Sequence, residues 1–177
     1  MKQIITLGGS NSKTSISKTL SEYAGQLLKE NYKVINIDLN DYEMPLYSVD
    51  VEAAQGFPKS TLALNDLFNT ADGFIVTLAE HNGVYSAVFK NTLDWLSRIN
   101  GKVWRAKPML LMSSSPGGRG GATVLEIAKN RFPFHDAKIT GSMSFPLFYD
   151  NFKNGAIVND NLKSNLLVLL DDFKKAV

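Results

Sequence analysis

Small hydroxyl side chains crowd one short segment near the start of the chain. Residues 6–20, TLGGSNSKTSISKTL, carry seven of them and two glycines between an apolar run and a pattern of helical period. The hydroxyl side chains of the expected loop are those of Ser10, Ser12, Thr14, Ser15 and Ser17. Backbone N–H groups at a helix start, with the positive end of the helix dipole behind them, favour a bound anion. The segment therefore predicts a site for a dianion such as phosphate.

This segment has an alternative interpretation as a turn with serine caps, because Ser and Thr are common at helix starts. Its spacing matches neither G-x-G-x-x-G nor G-x-x-x-x-G-K-[ST]. The mismatch disfavours a dinucleotide fold and a phosphoryl-transfer loop.

A second polar loop lies within LAEHNGVYSAVFKNTLDWLSR, residues 78–98. Asn82 and Gly83 form a turn dipeptide with exposed amides, and Glu80 and His81 offer polar contacts beside it. Such a loop suits a flat heteroaromatic ring. A solvated loop histidine is the alternative for His81.

A third loop, SSSPGGRGG at residues 113–121, contains four glycines. Gly117 and Gly118 allow close backbone approach, so their N–H groups could meet the polar edge of a ring, with Pro116 shaping the turn. A mobile surface loop is the alternative interpretation.

Five β-rich apolar runs alternate along the chain with segments of helical period. The runs are residues 3–9, 33–39, 73–79, 108–114 and 137–145. The helical segments are residues 17–29, 60–70, 86–99, 122–131 and 159–176. Because right-handed crossovers join parallel neighbours, the alternation predicts an α/β fold with helices on both faces of a doubly wound parallel sheet. In such sheets ligands bind beyond the carboxyl ends of the strands, where the three polar loops would meet.

The runs differ in pattern. Residues 3–9, 73–79 and 108–114 are apolar nearly throughout, which is typical of strands covered on both faces, whereas residues 33–39 alternate and indicate a strand nearer an edge. Trp104, in NGKVWRAKP, is expected at the surface or at a subunit interface. Aromatic residues around the fifth run are expected in the core or over the site of a neighbouring subunit, namely Phe132, Phe134, Phe145, Phe148, Tyr149 and Phe152.

Composition and charge limit the classes of function. The length of 177 residues fits a single domain over residues 1–177. The net charge of +2 comes from cations spread along the chain, so neither nucleic acid nor membrane is expected as a partner. There are no cysteines, which excludes disulfides, thiolate metal sites and cysteine nucleophiles, so redox chemistry would need a cofactor. The first apolar run is too short for a signal peptide, which favours a cytoplasmic protein.

Together the three loops resemble the NADPH-dependent FMN reductase family, which has a flavodoxin-like fold. The family shows G-S-x-R-x-x-S-x-N in the first loop, E-Y-N-x-S-x-P-x-x-L-K-N-x-x-D-W in the second and S-x-G-x-x-G-G in the third. Residues that match the second pattern are Glu80, Asn82, Lys90, Asn91, Asp94 and Trp95. The resemblance implies a three-layer sandwich around a five-stranded parallel sheet in the order 2-1-3-4-5.

The resemblance also implies a cofactor site. The FMN phosphate would be held in the first loop by Ser10, Ser15 and Ser17 with the amide of Ile16, and Ser12 is a further cofactor-binding residue there. Pro45, Leu46 and Tyr47 would line the ring. The ring would be met from one side by Glu80, His81, Asn82 and Gly83 and from another by Ser115, Gly117 and Gly118.

This chain departs from the family pattern at several positions. Ser12 stands where the family often has arginine, Ser17 where it has asparagine and His81 where it has tyrosine. Val84 replaces a serine and Ser86 a proline. That arginine is linked to phosphate and to NADPH in the family, which leaves NADPH and NADH both open as donors. Lys13 and Arg119 are candidate substitutes.

By resemblance, the chain is an NAD(P)H-dependent oxidoreductase that passes two electrons through FMN by ping-pong hydride transfer. The flavin performs the chemistry, so no catalytic side chain and no metal are expected. The acceptor would be a quinone, an azo compound, free flavin or a metal oxyanion, and the protein a homodimer or homotetramer. An electron-carrier flavodoxin and a non-catalytic FMN-binding regulatory module stay open. Serine and metal hydrolases are disfavoured because the two histidines, His81 and His135, lie in no hydrolase motif.

Overall fold

The structure is a computed structural model that describes residues 1–177. Its strands are β1 (Gln3–Gly9), β2 (Lys33–Ile37), β3 (Gly73–His81), β4 (Val84–Tyr85), β5 (Pro108–Ser114), β6 (Lys138–Phe145), β7 (Phe152–Lys153) and β8 (Ala156–Ile157). Its helices are α1 (Ile16–Gln26), α2 (Val49–Gln55), α3 (Lys59–Asn69), α4 (Ala87–Ile99), α5 (Ala122–Arg131), α6 (Phe148–Asn151) and α7 (Asp160–Ala176). Short 3₁₀ turns cover Leu39–Asp41 and Phe132–His135. None of these helices combines the length and the apolar character that crossing a bilayer requires.

Five long strands form one parallel sheet in the order β2-β1-β3-β5-β6. Without the two-residue β4, this is the predicted order 2-1-3-4-5. β2 lies at an edge, as its alternating pattern predicted, and the strand order reverses between β1 and β3. In doubly wound sheets the ligand crevice lies at this reversal.

The sheet buries a separate apolar cluster on each face. Successive residues of a strand point to opposite faces, so Ile5 joins the cluster under α3, α4 and α5, and its neighbour Ile4 joins the cluster under α1 and α7. β1, β3 and β5 are buried over most of their length, which confirms the predicted two-sided coverage.

Several element boundaries differ from the predicted ones. β3 continues through His81 because β4 pairs with it in antiparallel fashion. β2 ends at Ile37, since the Asp38 side chain accepts from the Asn40 N–H and caps the first 3₁₀ turn. α1 ends at Gln26, where the backbone tightens and the Leu28 N–H donates to the Gly25 carbonyl.

The helix α2 has no counterpart among the predicted helices. None of its residues is buried, so no apolar face marks it in the sequence. Ser48 caps it by accepting from the Val51 N–H at 3.1 Å. Its Glu52 carboxylate accepts from Arg98 Nε at 2.8 Å and from the Tyr47 hydroxyl at 2.9 Å. A cap and these side-chain contacts, not burial, therefore hold α2 in place.

Trp104 is a core residue, so the predicted surface or interface position was wrong. Its side chain is 1% exposed. Its ring packs on Phe68, Phe74 and Phe132 with centroid separations of 5.6, 5.3 and 4.9 Å. These partners come from three distant parts of the chain, whereas Lys102, Arg105 and Lys107 make the flanking sequence strongly charged. Arg105, in the left-handed conformation with φ 52°, then reverses the backbone.

The aromatic residues around β6 divide between core and surface. Phe132, Phe145 and Phe148 are buried, which confirms their predicted place in the core. Phe134 and Tyr149 are exposed.

The helix α1 lies directly against β1 through two glycines. A Cβ atom added at Gly8 would stand 2.4 Å from the Lys18 Cα, and one added at Gly25 would stand 2.6 Å from the Thr6 Cγ2. Distances of this size are far inside van der Waals contact. Any side chain at these two positions would therefore push α1 off the sheet.

We expect Gly8→Ala to lower the free energy of unfolding by about 1–3 kcal/mol, the usual cost of overpacking. The obstacle is backbone, which cannot rotate away. Gly101→Ala is the matched control, because nothing lies within 4 Å of the added Cβ and Gly101 does not have a positive φ. Urea unfolding of both variants measures the difference. Equal stability of the two variants would contradict the close approach of α1.

An ion pair joins the start of α1 to the end of β2. The Lys18 ammonium donates to the Asp38 carboxylate. This hydrogen bond lowers the pKa of Asp38 and raises the pKa of Lys18. Both side chains keep partial access to solvent, so the pair is worth less than about 1 kcal/mol.

Asp38→Asn tests the charge of this pair, since the amide oxygen can still cap the 3₁₀ turn. A lowered carboxyl pKa stabilises the fold above the unfolded value of about 3.9, and this stabilisation is lost as the pH falls through the folded pKa. We therefore expect Asp38→Asn to be less stable than the parent chain at pH 7, with the difference shrinking below about pH 4. Asp66→Asn, on an exposed part of α3 outside any ion pair, should show no such pH-dependent difference. A constant difference for Asp38→Asn across the pH range would point to packing instead.

Candidate functional site

A cleft of about 230 Å³ opens at the carboxyl ends of β1, β3 and β5. Eight predicted cofactor-binding residues line it, namely Ser10, Ser12, Ser15, Ile16, Ser17, Glu80, His81 and Ser115. The remaining lining residues are Thr14, Ala79, Ser114, Pro116 and Tyr149. The parallel register brings these loops together, since Gly9 lies opposite Leu78 and Ala79 opposite Ser114.

Hydroxyl groups order the first half of the loop between β1 and α1. Ser10 Oγ accepts from the Ser12 N–H at 3.1 Å, and Ser12 Oγ accepts from the Thr14 N–H at 3.3 Å. A hydroxyl that accepts in this way still has its own proton to donate. The loop is therefore braced by its hydroxyl groups and keeps donors for a ligand.

The second half of this loop starts α1. Ser15 is the N-cap and accepts from the Lys18 N–H at 3.1 Å. Its Oγ lies 2.9 Å from Ser17 Oγ, and both residues are buried. The serine-cap interpretation is thus correct for Ser15, and it does not exclude a bound anion.

Unpaired amides face the cleft at the same helix start. The N–H groups of Ile16 and Ser17 donate to no acceptor in the chain, and both residues line the cleft. Free N–H groups and the helix dipole together give this corner a positive potential without a cation. This arrangement is suited to a phosphate dianion.

The second predicted loop is a β-hairpin. β3 and β4 are joined by Asn82 and Gly83, whose φ values of 51° and 81° are those of a two-residue turn with both residues left-handed. His81 is exposed and lines the cleft, whereas Asn82 and Gly83 lie at the turn outside its lining. Tyr85 anchors β4 on Phe89, and burial raises the pKa of Tyr85 to about 12.

The Glu80 carboxylate makes a contact that the sequence did not predict. Its Oε2 accepts from the Val124 N–H at 2.9 Å, at the start of α5. The N-cap of α5 is Gly121, which has no side chain to do this. Glu80 therefore caps α5 and joins the hairpin to the glycine-rich loop.

The glycine-rich loop is tied to neighbouring strands. Ser113 Oγ donates to the Gly120 carbonyl at 2.7 Å. Gly120 has φ 59°, and a Cβ there would stand 2.6 Å from the Pro146 nitrogen. Gly117 and Gly118 lie at the exposed tip, outside the cleft lining, and their amides donate to no acceptor in the chain.

The segment Pro45–Tyr47 lies apart from the cleft. The Pro45 carbonyl accepts from Asn91 Nδ2 at 3.0 Å and from Trp95 Nε1 at 2.8 Å. The Tyr47 N–H donates to Asn91 Oδ1 at 2.8 Å, and the Tyr47 ring packs edge-on against Trp95. Leu46 is 81% exposed. Asn91 and Trp95 thus position the segment from α4.

Tyr47 belongs to a small polar network with Glu52 and Arg98. Desolvation and the bond to Glu52 raise the pKa of Tyr47, and the bond to Arg98 lowers the pKa of Glu52. The Tyr47 hydroxyl proton is therefore committed to Glu52 and its N–H to Asn91, so the residue has no free donor for a ligand.

A second cavity, of about 530 Å³, separates Pro45 from the first loop. Asn11 lines it on the side of the first loop, and Asn91 and Thr92 line it from α4. Glu43 is its acidic residue, and no Lys or Arg borders it.

The donors of the cleft fit the phosphate end of FMN. No Lys or Arg lines the cleft, and its acidic side chain, Glu80, is bonded to Val124. Ser114 Oγ is buried without a hydrogen-bond partner. Because Ser114 lines the cleft, its hydroxyl is a further hydrogen-bonding group for a ligand there. Sequence reasoning missed Ser114, although its place as the last residue of β5 was visible in the predicted strand.

Comparisons with known proteins identify the family of this chain. A family model described as NADPH-dependent FMN reductase matches residues 2–150. The chain is 32% identical over 147 residues to a quinone reductase of Escherichia coli K12, over 81% of this chain and 76% of that relative. It is 26% identical over 151 residues to an NAD(P)H-dependent FMN reductase of Schizosaccharomyces pombe, over 80% of this chain and 70% of the relative.

A solved structure shares the fold. The flavoenzyme FerB, an NAD(P)H:acceptor oxidoreductase of Paracoccus denitrificans, matches with a TM-score of 0.79 and 23% identity over 99% of each chain. The architecture is a flavodoxin-like three-layer sandwich. With the family model matched over most of its length, this chain belongs to the NADPH-dependent FMN reductase family.

Proposed function

We propose that this protein is an FMN-dependent NAD(P)H oxidoreductase that passes two electrons to a small acceptor. The observation that carries the proposal is the set of hydroxyls and free amides before and at the start of α1, which lies beside the strand-order reversal and includes the buried Ser10, Ser15 and Ser17. Family membership supplies the chemistry that these donors would serve.

Five residues of the first loop hold the phosphate in this proposal. Hydroxyls of Ser10 and Ser12 donate to its oxygens, together with the Ile16 N–H and one hydroxyl of the Ser15–Ser17 pair, whose other member donates within the pair. Support comes from their common place in the cleft and from the hydroxyl protons left free by the loop's internal bonds.

Two loops meet the flavin ring in this proposal. His81, Asn82 and Gly83 lie on one loop, the hairpin of β3 and β4, and Ser115, Gly117 and Gly118 on the other. Glu80 acts through its cap on α5, which fixes the second loop relative to the first. Pro45, Leu46 and Tyr47 would reach the ring from beyond the second cavity.

FMN, when bound, supplies the hydride acceptance and the two-electron transfer. The chain's part is to orient the ring and to stabilise charge. The free N–H groups of Gly117 and Gly118 would donate to the ring edge where negative charge develops. No side chain has to act as an acid, a base or a metal ligand.

Donor and acceptor would use the site in turn, in a ping-pong order. Names of relatives support a quinone as acceptor, and azo compounds, free flavin and metal oxyanions stay candidates. For the donor, Ser12 replaces the family's arginine, and the exposed Lys13 of the first loop and Arg119 of the glycine-rich loop are alternative cations for NADPH.

We also propose a cytoplasmic, single-domain protein that forms a homodimer or homotetramer, with no nucleic acid or membrane partner. Exposed apolar side chains at Leu46, Val49 and Phe134 support self-association. A flavodoxin-like electron carrier or a non-catalytic FMN-binding module is the alternative, and the weakly basic charge of +2 speaks against the carrier.

An absorbance spectrum under anaerobic conditions tests the proposal. We expect the FMN-loaded protein to lose its oxidised flavin bands when NADPH or NADH is added, and to regain them when a quinone follows. The nucleotide that bleaches faster identifies the donor. FMN that binds without bleaching would favour the carrier or the regulatory module, and failure to bind FMN would overturn the proposal.

Variants of two helix N-caps distinguish an effect on cofactor binding from an effect on stability. Ser15→Ala and Ser48→Ala each remove an N-cap, at a cost of about 1 kcal/mol. Ser48 lines neither cavity and touches the proposed flavin site only through α2, so Ser15→Ala should weaken FMN binding much more than Ser48→Ala, by about tenfold or more for a lost charge-assisted bond. Quenching of flavin fluorescence measures the Kd for FMN. Thermal unfolding of the flavin-free protein measures the loss of stability that both variants share. Similar Kd values for both variants would refute the role of Ser15.

A further inference from the structure

Tyr149 lines the same cleft as the loop between β1 and α1, although it lies beyond β6, the last long strand of the sheet. It follows β6 on the short helix α6, and its side chain is 63% exposed. Sequence reasoning placed it in an aromatic region expected in the core or over the site of a neighbouring subunit. Its position among hydroxyl and amide donors gives it a more specific role.

The backbone that carries Tyr149 is fastened to the glycine-rich loop. The Leu147 N–H donates to the Gly117 carbonyl at 3.0 Å, and the Phe148 N–H donates to the Ser115 carbonyl at 3.2 Å. Leu147 itself has φ 46°, a left-handed conformation that turns the chain into α6. The placement of Tyr149 is thus determined by main-chain bonds.

The neighbouring ring fixes the segment further. Phe148 is buried and stacks on Phe152 at 5.1 Å between centroids. The Tyr149 ring packs edge-on against Phe148 at 5.7 Å between centroids, and its exposed side chain borders the cleft. An anchored backbone lowers the entropy cost of presenting the Tyr149 hydroxyl to a ligand.

The lack of cations in the cleft lining gives the Tyr149 hydroxyl a role. A phosphate dianion is usually paired with Arg or Lys, and neither lines this cleft. A phenol is a more acidic donor than the hydroxyls of Ser or Thr, so its bond to an anion is the stronger one. Tyr149 is the phenol in the lining.

We propose that Tyr149 is a phosphate-binding residue of this site, with its hydroxyl donating to the 5′-phosphate of FMN beside Ser10 and Ser15. Tyr149 supplies part of the stabilisation that Arg or Lys gives to the phosphate in other phosphate sites. It also makes the site selective, since riboflavin has no phosphate for the hydroxyl to bind. The inference rests on the proposed FMN site and adds a residue to it.

Binding of two flavins to two variants tests the inference. The probes are FMN and riboflavin, and the readout is the Kd from flavin fluorescence, with no turnover involved. Tyr149→Phe keeps the ring and removes only the hydroxyl. Tyr32→Phe is the matched control, because Tyr32 is partly buried just before β2, at the opposite end of the sheet.

We expect Tyr149→Phe to weaken FMN binding about tenfold, which corresponds to about 1.4 kcal/mol. Its riboflavin Kd should stay within about twofold of the parent value, and Tyr32→Phe should change neither. An unchanged FMN Kd, or equal losses for both flavins, would overturn the role of Tyr149 while leaving the FMN site intact. If the parent protein binds neither flavin, the proposed function itself fails.

Discussion

The contact between α1 and β1 is the constraint on which the site depends. Gly8 on the strand and Gly25 on the helix remove the two side chains that would hold these elements apart. The first turn of α1 can therefore reach down to the sheet edge, where the unpaired N–H groups of Ile16 and Ser17 meet the cleft. A helix displaced by even one methyl group would carry these amides away from the ends of β3 and β5.

The loops around the cleft are bonded to one another as well as to the sheet. Glu80 joins the hairpin to α5, and Ser113 holds the Gly120 carbonyl. Leu147 and Phe148 then join the segment after β6 to the glycine-rich loop. Loops connected in this way are placed before a ligand arrives, which reduces the ordering cost of binding. The same bonds bring Tyr149, on α6, to a cleft that the preceding strand β6 does not border.

Residues that identify the family in sequence act here as supports. Asn91 and Trp95, both within the pattern that carries the resemblance, bond to the Pro45 carbonyl and hold a segment beyond the second cavity. Lys90 and Asp94 form an exposed ion pair on the same helix. Recognisable motifs thus include residues that shape the site from outside it, and Glu80, which lines the cleft, also acts by capping α5.

The sequence by itself determined the alternation of strands and helices, the edge position of β2 and the polar loops at the strand ends. These features follow from hydrophobic period and from local turn chemistry, which short stretches of chain express on their own. Only the tertiary structure decided the burial of Trp104, the helix α2, the use of the Glu80 carboxylate and the arrival of Tyr149 in the cleft. The contacts of Trp104, Glu80 and Tyr149 depend on partners far away in sequence, and α2 has a local cap but no buried face, so hydrophobic period could show none of them.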